Sequence, residues 1–203
     1  GANHTHTHNA NEGSNVQMEP GSGTTVMGYA GITGANTDVA QVSHDNFHSA
    51  NIEQVINYID TQSCQSEFNT GNTTPVVSAG NNVTLPISTP FRLTGSATDA
   101  DGDFLTYTWE QFDENDVATT FPDPNSTSSD SILFRCYKTD TSPTRIFPAL
   151  ENLLENDVNG YKWEKIPNVS RNADFRFTVR DNKVNGGNNS HDDLRVTWNI
   201  SRG

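Results

Sequence analysis

The chain has 203 residues, of which 32% are hydrophobic and 18% charged, enough for one modest core and too little for two generous ones. Twelve Lys and Arg against 25 Asp and Glu give a net charge of −13. That excludes the basic face required by nucleic acid or an anionic membrane, and it leaves hard cations such as calcium as suitable partners.

Residues 1–42 are rich in His, Asn, Gly and Thr, lack periodicity and read as loops. They are expected to be more mobile than residues 75–203, or to be held by a neighbouring copy. A helix is predicted over about 45–60, where Phe47, Ile52, Val55, Ile56 and Ile59 fall on one stripe and Ser43 or Asp45 serves as the cap. Residues 63–74 lie in a polar, apolar-poor stretch that reads as a linker.

From Pro75 onward the signals are those of strands. Alternation or apolar runs mark 83–87, 91–93, 105–109, 132–137, 175–179 and 194–200. Short strands between turn residues predict a mainly β fold, an antiparallel β-sandwich over 75–203. Residues 138–172, with Pro143, Pro148, Pro167 and a helical stretch at 149–154, form a long excursion that Arg145 and Phe147 pin to the sandwich.

No run approaches the roughly 18 apolar residues of a membrane-spanning helix. The sequence opens without Met, basic n-region or apolar h-region, which predicts a chain cut from something longer or freed of its leader. Charge-poor, Asn- and Thr-rich composition suits a secreted protein. Cys64 and Cys136 form no C-x-x-C pair, which argues against a thiolate metal site and leaves one bridge available, Cys64–Cys136. That bridge is slightly favoured over two free thiols.

His4, His6 and His8 alternate, so an extended segment carries them on one side, a pattern able to capture a transition metal. His44 and His48 are one helical turn apart, and with no third ligand in view they read as ordinary polar residues. Asp99, Asp101 and Asp103 alternate in the loop between two predicted strands, with Asp181, Asp192 and Asp193 in the loop expected beside it. Converging carboxylates of this kind predict a calcium site that stabilises the fold. Phe104 stands where an EF-hand needs Gly, so that motif is rejected.

Gly1-Ala2-Asn3-His4, followed by Glu19-Pro20-Gly21-Ser22-Gly23-Thr24-Thr25-Val26-Met27-Gly28-Tyr29-Ala30, carries a family resemblance. In metzincins the zinc motif H-E-x-x-H-x-x-G-x-x-H precedes a Met-turn. Gly1 and His4 match its last glycine and third histidine, and Met27 matches the Met-turn. The chain resembles the reprolysin-like metzincins of secreted bacterial proteins. The resemblance runs on through Phe47-His48 and the helix to Ile59, Ser96–Asp103, Trp109–Phe112, Ser142–Pro148 and Phe175–Asn182.

This resemblance implies a metzincin remnant over 1–62 and an immunoglobulin-like module over 75–203, with Trp109 as its core tryptophan. It implies zinc held by His4 in an intact parent, the upstream part of the catalytic domain as a partner, and a protein or peptide substrate. H-E-x-x-H is absent, so the chain alone is expected to be inactive. The related chains imply more local disulfides than Cys64–Cys136, with Thr33 and Thr108 where cysteines would stand. The rival reading is a non-catalytic, calcium-stabilised adhesion or substrate-binding sandwich.

Overall fold

The computed structural model describes residues 1–8, 15–114, 126–154 and 163–202. In chain order its elements are α1 (Ser49–Asp60), β1 (Val76–Ser78), β2 (Val83–Pro86), β3 (Phe91–Thr94), β4 (Ser96–Thr98), β5 (Thr106–Gln111), β6 (Thr144–Phe147), α2 (Leu150–Leu154), β7 (Arg171–Arg180) and β8 (Asn189–Asn199). The described part is mainly strand, with two α-helices and several sheets.

Alternation of apolar and polar residues in β7 and β8 builds the central antiparallel pair, with β5 on the far edge of β7 and β2 running parallel to β8. Phe175, Phe177, Val179, Val196 and Trp198 are all buried on one face of this sheet. The antiparallel pair β3–β6 lies across that face. Its Phe91 and Phe147 rings stack at 4.8 Å and meet the Phe175 edge at 5.7 and 5.0 Å. Trp109 is in the same core, 4.7 Å from the Phe177 ring, with its indole N–H donating to the Pro143 carbonyl.

Between β3 and β4 the chain changes partner, from β6 to β1. Gly95 makes the change. A Cβ there would sit 2.3 Å from the Phe177 ring, so the backbone passes the core only because it has no side chain.

The apolar run at 132–134 is fully buried yet is no strand. Gln111 Oε1 accepts from the Leu133 and Phe134 amides, and Lys165 N–H donates to Leu133 O, so side-chain and loop partners replace a ladder. Arg145 and Phe147 do pin the excursion. Arg145 donates to the carbonyls of Trp109 and Arg135 and pairs with the fully buried Glu164 at 2.9 Å. Glu164 in turn accepts from Ala149 N–H, Asn152 and Tyr137.

Helix α1 begins four residues later than the predicted start, because His48 rather than Ser43 or Asp45 is its cap. Its apolar stripe is largely exposed at Phe47, Val55, Ile56 and Ile59, and the buried helix residues are Ser49, Ala50 and Asn51. Residues 61–75 carry neither helix nor strand. The end of that stretch is nonetheless tied down, with Asn72 donating to Asp181 and Thr73 N–H to Asp101. Cys64 is exposed and Cys136 buried, and both are free. The expected bridge is therefore not formed, since one thiol lies at the surface and the other inside.

Gly95→Ala is expected to destabilise the protein by about 1–3 kcal/mol through overpacking against Phe177. Denaturant unfolding checks this, and the circular dichroism of the native state should stay unchanged.

Candidate functional site

Residues 5–7 and 16–25 are buried without forming helix or strand, and most of what they bury is polar. Such a segment is stable only if its polar groups find partners. The organiser is Glu19, fully buried. One carboxylate oxygen accepts from the hydroxyls of Thr5 and Thr25, and the other from the amides of Thr24 and Thr25 and the Thr24 hydroxyl. Burial pushes the Glu19 pKa up, but the His48 charge and the hydrogen bonds from Thr25, Thr5 and Thr24 outweigh it and hold the carboxyl below its ordinary value.

This carboxylate clamps the His4 segment against the turn that carries Met27. Thr5 N–H donates to Met27 O at 3.3 Å, and Thr5 O accepts from the amides of Met18 and Glu19. The turn itself closes through Gly28 N–H to Thr25 O and Tyr29 N–H to Ser22 O. Tyr29 then packs its ring against both His4 and His6, at 4.4 and 4.3 Å. Met27 is half-buried.

The His4, His6 and His8 rings follow one another at 5.6 and 6.4 Å, as the alternation predicts. Their nitrogens do not form one of the converging donor sets among the described residues. A tetrahedral zinc needs three protein ligands. The donor chemistry of this segment fits one of them, the His4 imidazole.

Residues 1–59 match the family model described as metallo-peptidase family M12B, reprolysin-like. No curated protein and no solved structure matches the chain. The matched segment contains His4, Glu19, Met27 and helix α1, and the β-rich remainder lies outside it.

Two donor sets do converge among the described residues: Asp99, Asp101 and Asp103, and His48, Glu110 and Cys136. The first is the acidic loop expected from sequence, and here it already has a cation. Lys183 Nζ lies 3.1 Å from Asp103 and 3.8 Å from Asp101. Asp101 is also held by the Thr73 amide and hydroxyl, and Asp99 accepts from the amides of Asp101 and Asp103. The Thr73 amide first, and Lys183 with it, holds the Asp101 carboxyl below its ordinary value. Asp181 stands apart from that set. It is fully buried and spends its oxygens on Asn72 and on the amides of Lys183 and Asn188. Asp192 caps Ala79 N–H, and Asp193 pairs with Arg176.

The second set was not legible in sequence. His48 comes from the helix cap, Glu110 from β5 and Cys136 from the apolar run at 132–137. Burial first, then Glu19 and Glu110, pushes the Cys136 thiol well above its ordinary pKa. Glu19 was quoted as part of the family motif without a role. Its only sequence signal was the surrounding Thr5, Thr24 and Thr25.

Glu19→Gln is expected to cost about 2–4 kcal/mol, because an amide turns donors toward donors in a buried network. With its pKa lowered by folding, Glu19 contributes fully above the ordinary carboxylate pKa, and the contribution is lost as pH falls through the lowered value. Urea unfolding of both proteins at several pH values should therefore converge in acid. Thermal unfolding with millimolar calcium or with chelator is expected to coincide for the wild type, while calcium raises the melting temperature of Lys183→Met.

Proposed function

We propose that this chain carries the C-terminal part of a reprolysin-like zinc metalloendopeptidase catalytic domain, joined to an immunoglobulin-like β-sandwich and acting outside the cell on protein or peptide substrates. The observation that carries this reading is the family match over residues 1–59, with the Met-turn carbonyl bonded to the residue that follows His4. The sandwich reading is supported by the β5–β7–β8 sheet, the partner change at Gly95 and the buried Trp109. Among the described residues no helix is long and apolar enough to cross a membrane. The exposed stripe of Phe47, Val55, Ile56 and Ile59 suits coverage by the upstream part of a catalytic domain.

In this reading His4 offers an imidazole lone pair, and Tyr29 and the Met27 turn fix its ring position. Zinc, when bound, polarises the scissile carbonyl and activates water. The remaining ligands and the general base belong to H-E-x-x-H, which the 203 residues do not contain. The domain division 1–62, 63–74 and 75–203 follows from the same reading.

A cleft of about 750 Å³ favours the second reading, a non-catalytic binding module. It is lined by Tyr107, Arg135, Tyr137, Lys138, Asp140 and Glu151 among others, an aromatic wall carrying charges of both signs. Such a wall suits a peptide or glycan.

A quenched peptide or casein assay separates the readings. The 203-residue chain is expected to give no chelator-sensitive cleavage, whereas a longer chain carrying H-E-x-x-H is expected to cleave and to lose at least 10²-fold in rate on His4→Ala. Unchanged activity in the His4→Ala protein would favour the binding module.

A further inference from the structure

We infer that His48, Glu110 and Cys136 form a second metal site, for a borderline divalent ion such as zinc, buried where helix α1 meets the β-sheet. It is independent of His4 and does not rest on the peptidase reading.

The three donor atoms lie within 4.8 Å of one another. A tetrahedral zinc with N, O and S ligands sets donor-to-donor separations of roughly 3.3–3.8 Å. Side-chain adjustments of about an ångström therefore close the site around an ion. His48 and Glu110 are fully buried and Cys136 is 1% exposed. Glu110 is half satisfied. Its Oε2 accepts from Ser49 N–H at 3.0 Å, while Oε1 is solvent-excluded and lacks a hydrogen-bond partner. His48 is in the same condition. Its Nδ1 accepts from Ala50 N–H at 3.2 Å, and Nε2 is solvent-excluded and lacks a hydrogen-bond partner. Two buried, unpartnered polar atoms beside a thiol carry a desolvation cost that neither helix nor sheet offsets.

The donor set selects the ion. One imidazole, one carboxylate and one thiolate suit zinc, and calcium and magnesium, which take oxygen ligands, are disfavoured. On binding, the Cys136 S–H bond gives way to an S–metal bond and the proton leaves to solvent. The Glu110 carboxylate, the thiolate and the divalent ion then sum to zero, and the buried Glu19 carboxylate beside Cys136 and His48 adds one negative charge that further favours a cation there. Coordination through His48 Nε2 moves the ring proton to Nδ1. The helix then gives up the Ala50 cap and keeps the shorter Ser49–Glu110 bond. The ligands come from the α1 cap, β5 and the apolar run at 132–137, so the ion would fasten three separate segments.

The test uses the 203-residue chain refolded with zinc or with cobalt(II), then dialysed against a weak chelator. One retained zinc per chain is expected, and the cobalt form should show a near-ultraviolet thiolate-to-metal band. Cys64→Ser should keep both signals. Cys136→Ser, a near-isosteric change, should lose the band and the retained zinc, and Glu110→Gln should weaken zinc retention at least tenfold. Melting curves of the metal-free variants report whether each still folds. The inference is overturned by no retained metal in the folded wild type, by a cobalt complex without the thiolate band, or by full retention in Cys136→Ser. That last result would place the ion among His4, His6 and His8.

Discussion

The buried carboxylate of Glu19 is the constraint on which the N-terminal third depends. A charge in a dry interior is tolerated only when donors surround it. Here the donors come from two stretches that would otherwise drift apart, Thr5 beside His4, and Thr24 and Thr25 in front of the Met-turn. Satisfying one anion therefore fixes the distance between the histidine segment and Met27. Thr24 extends the network by donating to the Cys136 carbonyl, so the same cluster reaches the β-rich part of the chain.

That reach matters because the seam is polar. Arg176 on β7 lies over the Phe112 ring at 3.5 Å and pairs with both Glu53 of α1 and Asp193 of β8. Arg135 donates to Val39 O, Arg180 to Phe47 O, and the Ser49 amide to Glu110. Directional bonds of this kind set a unique orientation where an apolar contact would allow sliding. The small cluster of Val16, Met18 and Ala50, with Phe112 against it, adds what apolar burial the seam has.

Legibility in the sequence followed the kind of burial. Strands whose apolar residues alternate, such as β7, β8 and β5, were visible because their period is a property of the chain itself. The helix was visible for the same reason, although its stripe is mostly exposed. The partner change at Gly95 was not, since it depends on a ring approaching a backbone, and the apolar run at 132–137 gave a strand signal where Gln111 instead serves Leu133 and Phe134 as a surrogate ladder. Residues 5–7 and 16–25 were read as mobile loops because their interior is made of Thr, Gln, Ser and Glu, for which no periodicity exists. His4 and Met27 stood out in the sequence only through the family motif. Asp99, Asp101 and Asp103 were legible from their alternation, but Lys183 arrives from 80 residues away. The meeting of His48, Glu110 and Cys136 is a product of the seam alone.

Native-state hydrogen exchange at Thr24 and Thr25 tests most directly whether Glu19 organises this segment. Their amides donate to the buried carboxylate, so they are expected to exchange only through large openings, with protection close to that of the β7–β8 amides, and Glu19→Gln should remove it selectively. Exchange of both amides at the rate of an unstructured loop in the wild type, while β7 and β8 remain protected, would contradict the account.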